Sequence, residues 1–165
     1  MNTARLLVLA LGLQFALSAQ AIKEGEPAPA LDAKLLDGKA FSLSAASGKV
    51  VIVNFWATWC EPCRAEMPAL DAYYRRHRDE GFVLLAVSMD DPADDAKVRE
   101  AVKNFAFPAA MAKSVSARAY GRIWRIPITF LIDRGGIVRK SGWFAESGFD
   151  DAALEATVTP LLHAR

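Results

Sequence analysis

A mostly apolar, β-branched stretch, KVVIVNFWA at residues 49–57, sets the first limit on the fold. It lacks the alternation of apolar and polar residues that marks a strand with one face in water. It therefore predicts a central β-strand that is buried on both faces, which requires a sheet covered by other elements. A second stretch of the same kind, GFVLLAVSM at residues 81–89, predicts a second buried strand.

The segments next to these strands contain turn and helix signals. An Asp-Gly pair lies between two apolar runs in residues 35–43, which is typical of a small β-hairpin. A helix should follow the first buried strand, from about Cys60 to Asp79. Pro62 is tolerated in the first turn of this helix, whereas Pro68 lies inside it and should produce a kink.

The rest of the chain alternates between helix and strand patterns. In order, these patterns predict an acid-started helix at 90–105, a short strand near 109–112, a short helix near 115–120, a strand at 128–133 that forms a hairpin with one at 137–144, and a last helix from about 149 to 162. Helices between some strands and a hairpin between others predict an α/β fold with a mixed β-sheet flanked by helices.

The N-terminus has the pattern of an export signal. A basic start is followed by the apolar run Leu6–Leu17 and by SAQA, which fits a small-x-small cleavage site. We expect residues 1–21 to be a signal peptide cut after Ala21, leaving one domain at 22–165 in the periplasm or elsewhere outside the cytoplasm. The alternative is an uncleaved membrane anchor, although the run is shorter than the roughly 20 apolar residues that a span needs.

The charge balance argues against two classes of partner. The chain has 20 basic and 19 acidic residues, a formal net charge of +1. Removal of residues 1–21 would also remove Arg5 and bring the net charge to 0. Nucleic acids and anionic membranes select clustered basic residues, so neither is expected as the main partner.

Both cysteines of the chain, Cys60 and Cys63, lie at the start of the predicted helix. Zinc sites and redox sites share the Cys-x-x-Cys spacing. A structural zinc site needs four ligands, and the chain offers only His77 and His163 besides the two sulfurs, so we expect no metal site. A purely structural disulfide is disfavoured because closing so short a loop removes little chain entropy. The pattern favours a redox pair.

Redox chemistry also explains where the two cysteines stand. If Cys60 caps the helix, its sulfur faces the free N–H groups of the first turn, whose field lowers the pKa of the thiol from about 8.5 towards 7 or below. Cys60 would attack a substrate disulfide, and Cys63 would resolve the mixed disulfide from one turn deeper. Glu61 and Pro62 would tune the pair by adding a negative charge and by removing a hydrogen-bond donor.

The stretch FWATWCEPC, the strand before it, Pro68 and the downstream IPITFLID resemble the thioredoxin superfamily. The resemblance is closest to the exported TlpA/ResA-type thiol-disulfide reductases, a group that includes cytochrome c maturation proteins. It implies a thioredoxin-like fold with an N-terminal β-hairpin extension and a central insertion around residues 90–107. It also implies a cis Ile126–Pro127 bond against the two cysteines, with the Ile126 backbone offered to an incoming peptide as a β-pairing edge.

Two positions separate the chain from cytosolic thioredoxin. Asn54 stands where thioredoxin carries a buried Asp, and Glu66 matches a Glu that TlpA/ResA-type proteins carry three residues after the second Cys. At this spacing Glu66 lies about one turn from Cys63 on the same helix face. If it is buried, its pKa would rise and it could pass a proton to or from Cys63. The alternative is a solvent-facing glutamate.

Three tryptophans lie near the predicted site. We expect Trp56 to pack beside the strand and Trp59 to be part of the exposed surface that meets substrate. Trp124 lies in YGRIWRIP, where relatives often carry Gly and where this chain runs about one residue longer. Trp124 and Arg125 either form a rim that binds a partner or pack under the loop.

The leading hypothesis is an exported enzyme that reduces disulfides in a few proteins, such as the haem-site cysteines of apocytochrome c or the cysteines of a copper site. We expect a monomer that needs no cofactor beyond the Cys60–Cys63 disulfide. The resemblance implies that a membrane electron donor of the thiol-disulfide transporter type reduces this disulfide again after each turnover.

Three other functions are compatible with parts of the sequence. A peroxidase is disfavoured because peroxide reductases place Thr three residues before the reactive Cys, where this chain has Ala57. A copper-binding or chaperone-like module would use the two thiolates as soft ligands, but such carriers have one more residue between the cysteines and a later His. An oxidase or isomerase on the same fold shares most of the motif, so the direction of electron flow stays open, with reduction favoured.

Overall fold

The computed structural model describes residues 22–143 and 149–164, so the predicted signal peptide lies outside the described residues. The strands are β1 (Asp32–Lys34), β2 (Ala40–Ser42), β3 (Val50–Trp56), β4 (Phe82–Ser88), β5 (Ala109–Met111), β6 (Ile128–Ile132) and β7 (Val138–Trp143). The helices are α1 (Glu61–His77), α2 (Asp95–Val102), α3 (Asp151–Thr157) and α4 (Thr159–His163). Within the described ranges, no helix has the length and apolar character needed to cross a membrane.

The main sheet is mixed, as predicted, with the strand order β5-β4-β3-β6-β7. Strand β4 runs parallel to both β3 and β5, whereas β6 is antiparallel to both β3 and β7. The predicted hairpin is also present, because β1 and β2 pair antiparallel outside the main sheet. The structure therefore has the expected thioredoxin-like arrangement with an N-terminal hairpin.

Strand β3 is the centre of the core. All seven of its residues are buried, which confirms the prediction from its apolar pattern. On one face, Ile52 and Trp56 pack with side chains of α1 and α3. On the other face, Val53 and Phe55 pack with residues that precede and follow the hairpin and with Tyr120. Because both faces of β3 are covered, the core fixes the end of this strand, from which the loop to α1 leaves.

Two predicted helices differ in extent from the structure. The predicted helix at 90–105 is shorter, because a 3-10 turn at Pro92–Asp94 precedes α2. The predicted last helix is divided between α3 and α4, and Pro160 lies in the first turn of α4, where its missing N–H costs least. Helix α1 matches its prediction closely and runs unbroken through Pro68.

The prediction of a helix at 115–120 was wrong. Two 3-10 turns, Ala112–Ser114 and Arg118–Tyr120, occupy this region. Tertiary pairing explains the difference. Val115 forms a β-bridge with Ala33, and the Ser116 hydroxyl accepts a hydrogen bond from the Asp32 N–H at 3.0 Å. These contacts tie the segment to β1 and outweigh its local helix preference.

One arginine joins three separate segments at the end of the sheet opposite the cysteines. The Arg134 guanidinium donates hydrogen bonds to the carbonyl oxygens of Gly48 at 2.7 Å, Glu80 at 2.8 Å and Leu162 at 2.8 Å. Gly48 precedes β3, Glu80 precedes β4 and Leu162 lies in α4. Arg134 therefore fixes the starts of the two central strands to the C-terminal helix.

Candidate active site

Cys60 and Cys63 form a disulfide at the N-terminus of α1, with their Cα atoms 5.3 Å apart. Cys60 is the N-cap residue, and its sulfur accepts a hydrogen bond from the Cys63 N–H at 3.3 Å. The predicted capping position of Cys60 is thus confirmed. Cys60 is 5% exposed and Cys63 is fully buried, so Cys60 is the sulfur that an incoming disulfide can reach. The same N–H group and the helix field would stabilise a Cys60 thiolate.

The loop between β3 and Cys60 is held by Asp90, which follows β4. One Asp90 oxygen accepts hydrogen bonds from the Thr58 N–H at 2.9 Å and the Ser88 hydroxyl at 2.7 Å, and the other accepts from the Thr58 hydroxyl at 2.5 Å. Burial alone would raise the pKa of Asp90, but these hydrogen bonds and the charge of Lys97 outweigh it and lower the pKa. An ionised Asp90 therefore anchors the residues that lead to Cys60.

Sequence reasoning missed this role, because it treated Asp90 only as an acidic helix start. The signal was its position directly after a buried strand, on the sheet edge from which the β3 loop also leaves. The carboxyl ends of parallel strands lie at the same edge of a sheet, so the loops that follow β3 and β4 lie side by side.

Glu66 is buried on the face of α1 that also carries Cys63. Its side chain is 3% exposed and accepts a hydrogen bond from Asn54 Nδ2 at 2.8 Å. Burial raises the pKa of Glu66 to about 7, and hydrogen bonds from Asn54 and from the Phe149 backbone offset part of that rise. The solvent-facing alternative was wrong. A carboxyl group one helical turn from Cys63 with this pKa has the properties of a proton carrier near neutral pH.

Asn54 links this carboxyl group to a third element. Its Nδ2 also donates to the Thr129 hydroxyl at 3.0 Å, because Asn54 and Thr129 are paired residues of β3 and β6. Both side chains are buried. Thr129 was not identified from the sequence, since nothing in ITFLID distinguishes a threonine that faces a polar group from one that fills a strand.

The Ile126–Pro127 peptide bond is cis, as the resemblance implied. It lies directly before β6, which is the antiparallel neighbour of β3. The partly buried Ile126 side chain packs against the apolar clusters on both faces of the sheet, one of which contains Cys60 and Cys63. Because β6 is antiparallel to β3, the turn before β6 lies at the end of the sheet where the loop from β3 to Cys60 begins.

A surface groove lies beside this turn. Its volume is about 420 Å³, and its lining residues are Trp59, Met89, Ile123, Trp124, Arg125 and Ile126. Trp59 is 65% exposed and Trp124 is 75% exposed, so of the two alternatives for Trp124 the one in which it packs under the loop was wrong. The Arg125 guanidinium lies 5.3 Å from the centre of the Trp124 ring, within cation–π range. The two exposed tryptophans border one apolar surface.

The remaining predicted residues fall in two environments. Glu61 and Pro62, between the cysteines, are exposed, whereas Trp56 is fully buried as expected. His77 lies at the far end of α1 and contacts Glu80. In the part of the chain that the structure describes, no three His, Cys, Asp or Glu side chains gather to hold a metal ion.

Comparisons with known proteins match this geometry. Residues 25–141 match the AhpC/TSA family. The chain is 36% identical over 120 residues to the thioredoxin-like protein YneN of Bacillus subtilis, covering 72% of this chain and 70% of that protein. It is 33% identical over 147 residues to the thiol-disulfide oxidoreductase ResA of Geobacillus thermodenitrificans, covering 85% and 84%. A crystal structure of a thiol:disulfide interchange protein from Chlorobium tepidum is similar, with a TM-score of 0.71, 30% identity and coverage of 86% and 99%.

The raised pKa of Glu66 predicts a pH-dependent stability. Between its ordinary value of 4.5 and the native value of about 7, the native state holds a proton that the unfolded state has lost. Stability therefore falls as pH rises through this window, by up to about 3 kcal/mol. Glu66→Gln removes this loss, so the variant should gain stability relative to wild type between pH 4 and pH 8. Urea unfolding of the oxidised proteins measures the difference.

The matched control is Glu61→Gln, which removes an exposed carboxyl group at the same helix end. It should follow the wild-type pH dependence. Parallel pH curves for Glu66→Gln and wild type would contradict the prediction.

Proposed function

Because the chain belongs to the AhpC/TSA family of thioredoxin-like proteins and is a thiol-disulfide oxidoreductase, we propose that it is a protein-disulfide reductase that acts outside the cytoplasm. The observation that supports this proposal most is the Cys60–Cys63 disulfide at the start of α1, one turn from the buried Glu66. A nucleophile at the surface and a proton carrier in the interior are what a two-step thiol exchange requires.

In the proposed cycle, the reduced enzyme starts as a Cys60 thiolate and a Cys63 thiol. Cys60 attacks one sulfur of the substrate disulfide, a mixed disulfide forms, and the other substrate sulfur leaves as a thiolate. Ionised Glu66 then takes the proton of Cys63, whose sulfur attacks Cys60 and releases the second substrate thiolate. The substrate gains two electrons, and the enzyme ends as the Cys60–Cys63 disulfide.

The oxidised enzyme needs a source of two electrons for the next turnover. We propose a membrane electron donor of the thiol-disulfide transporter type, which would reduce the Cys60–Cys63 disulfide by the same exchange in reverse. The proposed substrates are disulfides of exported proteins, including the haem-site cysteines of apocytochrome c and copper-site cysteines. Exchange between sulfurs requires no metal or organic cofactor, and the proposed working form is a monomer.

The groove beside the cysteines supplies a surface for the substrate chain. We propose that Trp59 and Trp124 contact apolar side chains next to the substrate cysteine, while the Ile126 backbone before Pro127 pairs with the substrate backbone. Exposed aromatic rings next to a reactive centre are typical of protein-binding sites. Glu61 and Pro62, which are exposed between the cysteines, would contact the substrate at the sulfur itself.

A peroxidase remains disfavoured on structural grounds. Thr58 is the threonine nearest to Cys60 in the sequence, and its hydroxyl donates to Asp90. A hydroxyl used in this way anchors the loop and does not face a peroxide at the Cys60 sulfur.

We propose that residues 1–21 form the signal peptide and that the exported domain begins at Ile22. The protein recovered from the extracytoplasmic fraction should then have Ile22 as its N-terminal residue, which N-terminal sequencing determines. An N-terminus at Met1 in the membrane fraction would support the uncleaved anchor instead.

The direction of electron flow is tested by the reduction potential of the Cys60–Cys63 pair. A reductase should have a potential well below about −200 mV, measured by equilibration with thiol buffers and a count of free thiols. A potential near about −120 mV would identify an oxidant and contradict the proposal. Cys60→Ser and Cys63→Ser are the controls, since neither can form the disulfide, and Cys60→Ser should also abolish turnover.

The role of Trp124 is tested with two kinds of substrate. Trp124→Ala should raise KM for a protein disulfide about 5-fold or more, because a side chain at an interface centre contributes over about 1 kcal/mol. The rate with a small neutral disulfide should stay unchanged, since such a molecule does not reach the groove. Phe105→Ala is the matched control, because it removes an aromatic ring from a different cavity of about 410 Å³. Equal effects of the two variants on the protein substrate would contradict the role.

A further inference from the structure

The two polar atoms of the Asn54 amide group differ in their hydrogen bonding to the described residues: Nδ2 donates two hydrogen bonds, and Oδ1 accepts none. Its Nδ2 donates to Glu66 Oε1 at 2.8 Å and to Thr129 Oγ1 at 3.0 Å. Its Oδ1 is buried and has no hydrogen-bond partner among the residues that the structure describes. A buried acceptor without a hydrogen-bond partner costs free energy, so an unpaired Asn54 Oδ1 in the core requires a physical explanation.

In the observed orientation Asn54 offers Glu66 a donor and no acceptor. An ionised carboxylate is an acceptor on both oxygens, and Nδ2 supplies the donor that it needs. A protonated carboxyl group also carries an O–H donor, and the unused Oδ1 of Asn54 is a buried acceptor that can receive it.

Rotation of the Asn54 amide by 180° exchanges Oδ1 and Nδ2 without moving the backbone. Oδ1 would then accept from the protonated Glu66, and it would also accept from the Thr129 hydroxyl, which can donate as well as accept. The same three side chains therefore form two hydrogen bonds in either state. Only the identity of the unused amide atom changes.

We infer that Asn54 and Thr129 are positioning residues that keep the Glu66 carboxyl group in one place while it gains and loses a proton. The Asn54 amide turns with the protonation state of Glu66, and the Thr129 hydroxyl reverses its role from acceptor to donor. The functional meaning of this switch rests on the proposed proton transfer between Glu66 and Cys63.

Few other described groups lie where they could hydrogen-bond the Glu66 carboxyl group. Cys63 lies one helical turn before it on α1, Asn54 donates to it from β3, and the backbone of Phe149 hydrogen-bonds it from the start of the C-terminal region. Among the described residues, no charged side chain contributes to the pKa shift of Glu66. Asn54 is thus the side chain whose hydrogen bond favours the ionised form.

The first test follows the Asn54 side-chain amide by NMR in the oxidised protein between pH 5 and pH 9. A 13C label on the glutamate carboxyl carbons reports Glu66, and Glu66→Gln assigns its signal. The Asn54 amide protons should move from hydrogen-bonded to free shifts as pH falls, with the same midpoint as the Glu66 carbon. Amide signals that stay constant across the Glu66 titration would overturn the inference, because the protonated carboxyl would then still accept from Nδ2.

The second test removes the switch. Asn54→Leu removes the Asn54 hydrogen bond from both states with a side chain of similar size. The bond to the ionised carboxylate is charge-assisted and is the stronger of the two, so the Glu66 midpoint should rise by about 1 pH unit. The pH at which disulfide exchange reaches half its maximum should shift equally. An unchanged midpoint would overturn the inference.

Two further variants complete the test. Thr129→Ser keeps the hydroxyl group and should preserve the wild-type titration of the Asn54 amide. In Thr129→Val, which keeps the side-chain shape, the Glu66 midpoint should move by less than about 0.5 pH unit, since the hydroxyl serves both states. Turnover that does not change in Glu66→Gln would refute the proposed proton transfer alone, because the NMR titration tests the positioning role independently.

Discussion

The pairing of β3 with its two neighbours is the interaction on which the whole site depends. Its parallel register with β4 places Trp56 opposite Ser88, so the loops that leave both strands lie side by side and Asp90 can bind Thr58. Its antiparallel register with β6 places Thr129 opposite Asn54. A slip of one residue on either side would turn these polar side chains to the other face of the sheet. The buried apolar faces of β3 prevent such a slip.

The site divides its chemistry between two dielectric environments. Cys60 lies at the surface end of α1, where the helix field favours the thiolate and an incoming sulfur has access. Glu66 lies nearly two turns further along the helix, where burial holds its pKa near 7, and in the proposed cycle it exchanges a proton with Cys63. A carboxyl group in water would be fully ionised and a poor proton donor at this pH. The helix thus sets two different proton affinities with a separation of only one or two turns.

Short sequence patterns correctly predicted the features that depend on residues close together in the chain. The unbroken apolar runs identified β3 and β4, and Cys60 was placed at the helix cap because a helix start leaves free N–H groups. The cis Pro127 and the choice of Glu66 as a site residue came only through resemblance, and the sequence left the burial of Glu66 open. Asp90, Thr129 and Arg134 were missed, because each acts through partners more than 25 residues away in the chain. For the same reason the segment tied to β1 was mistaken for a helix.

In the proposed function, the chemistry and the selectivity lie on different elements. Cys60 is the N-cap of α1, and Cys63 and Glu66 are buried residues of α1 that follow the buried strand β3. Trp124 and Arg125 belong to the loop before β6, whose rings and cation are exposed and whose backbone is not part of a strand. In the proposed function, a substitution in this loop changes the surface that a substrate meets and leaves the geometry of Cys60, Cys63 and Glu66 in place. Two proteins with the same redox site can therefore present different surfaces to their partners.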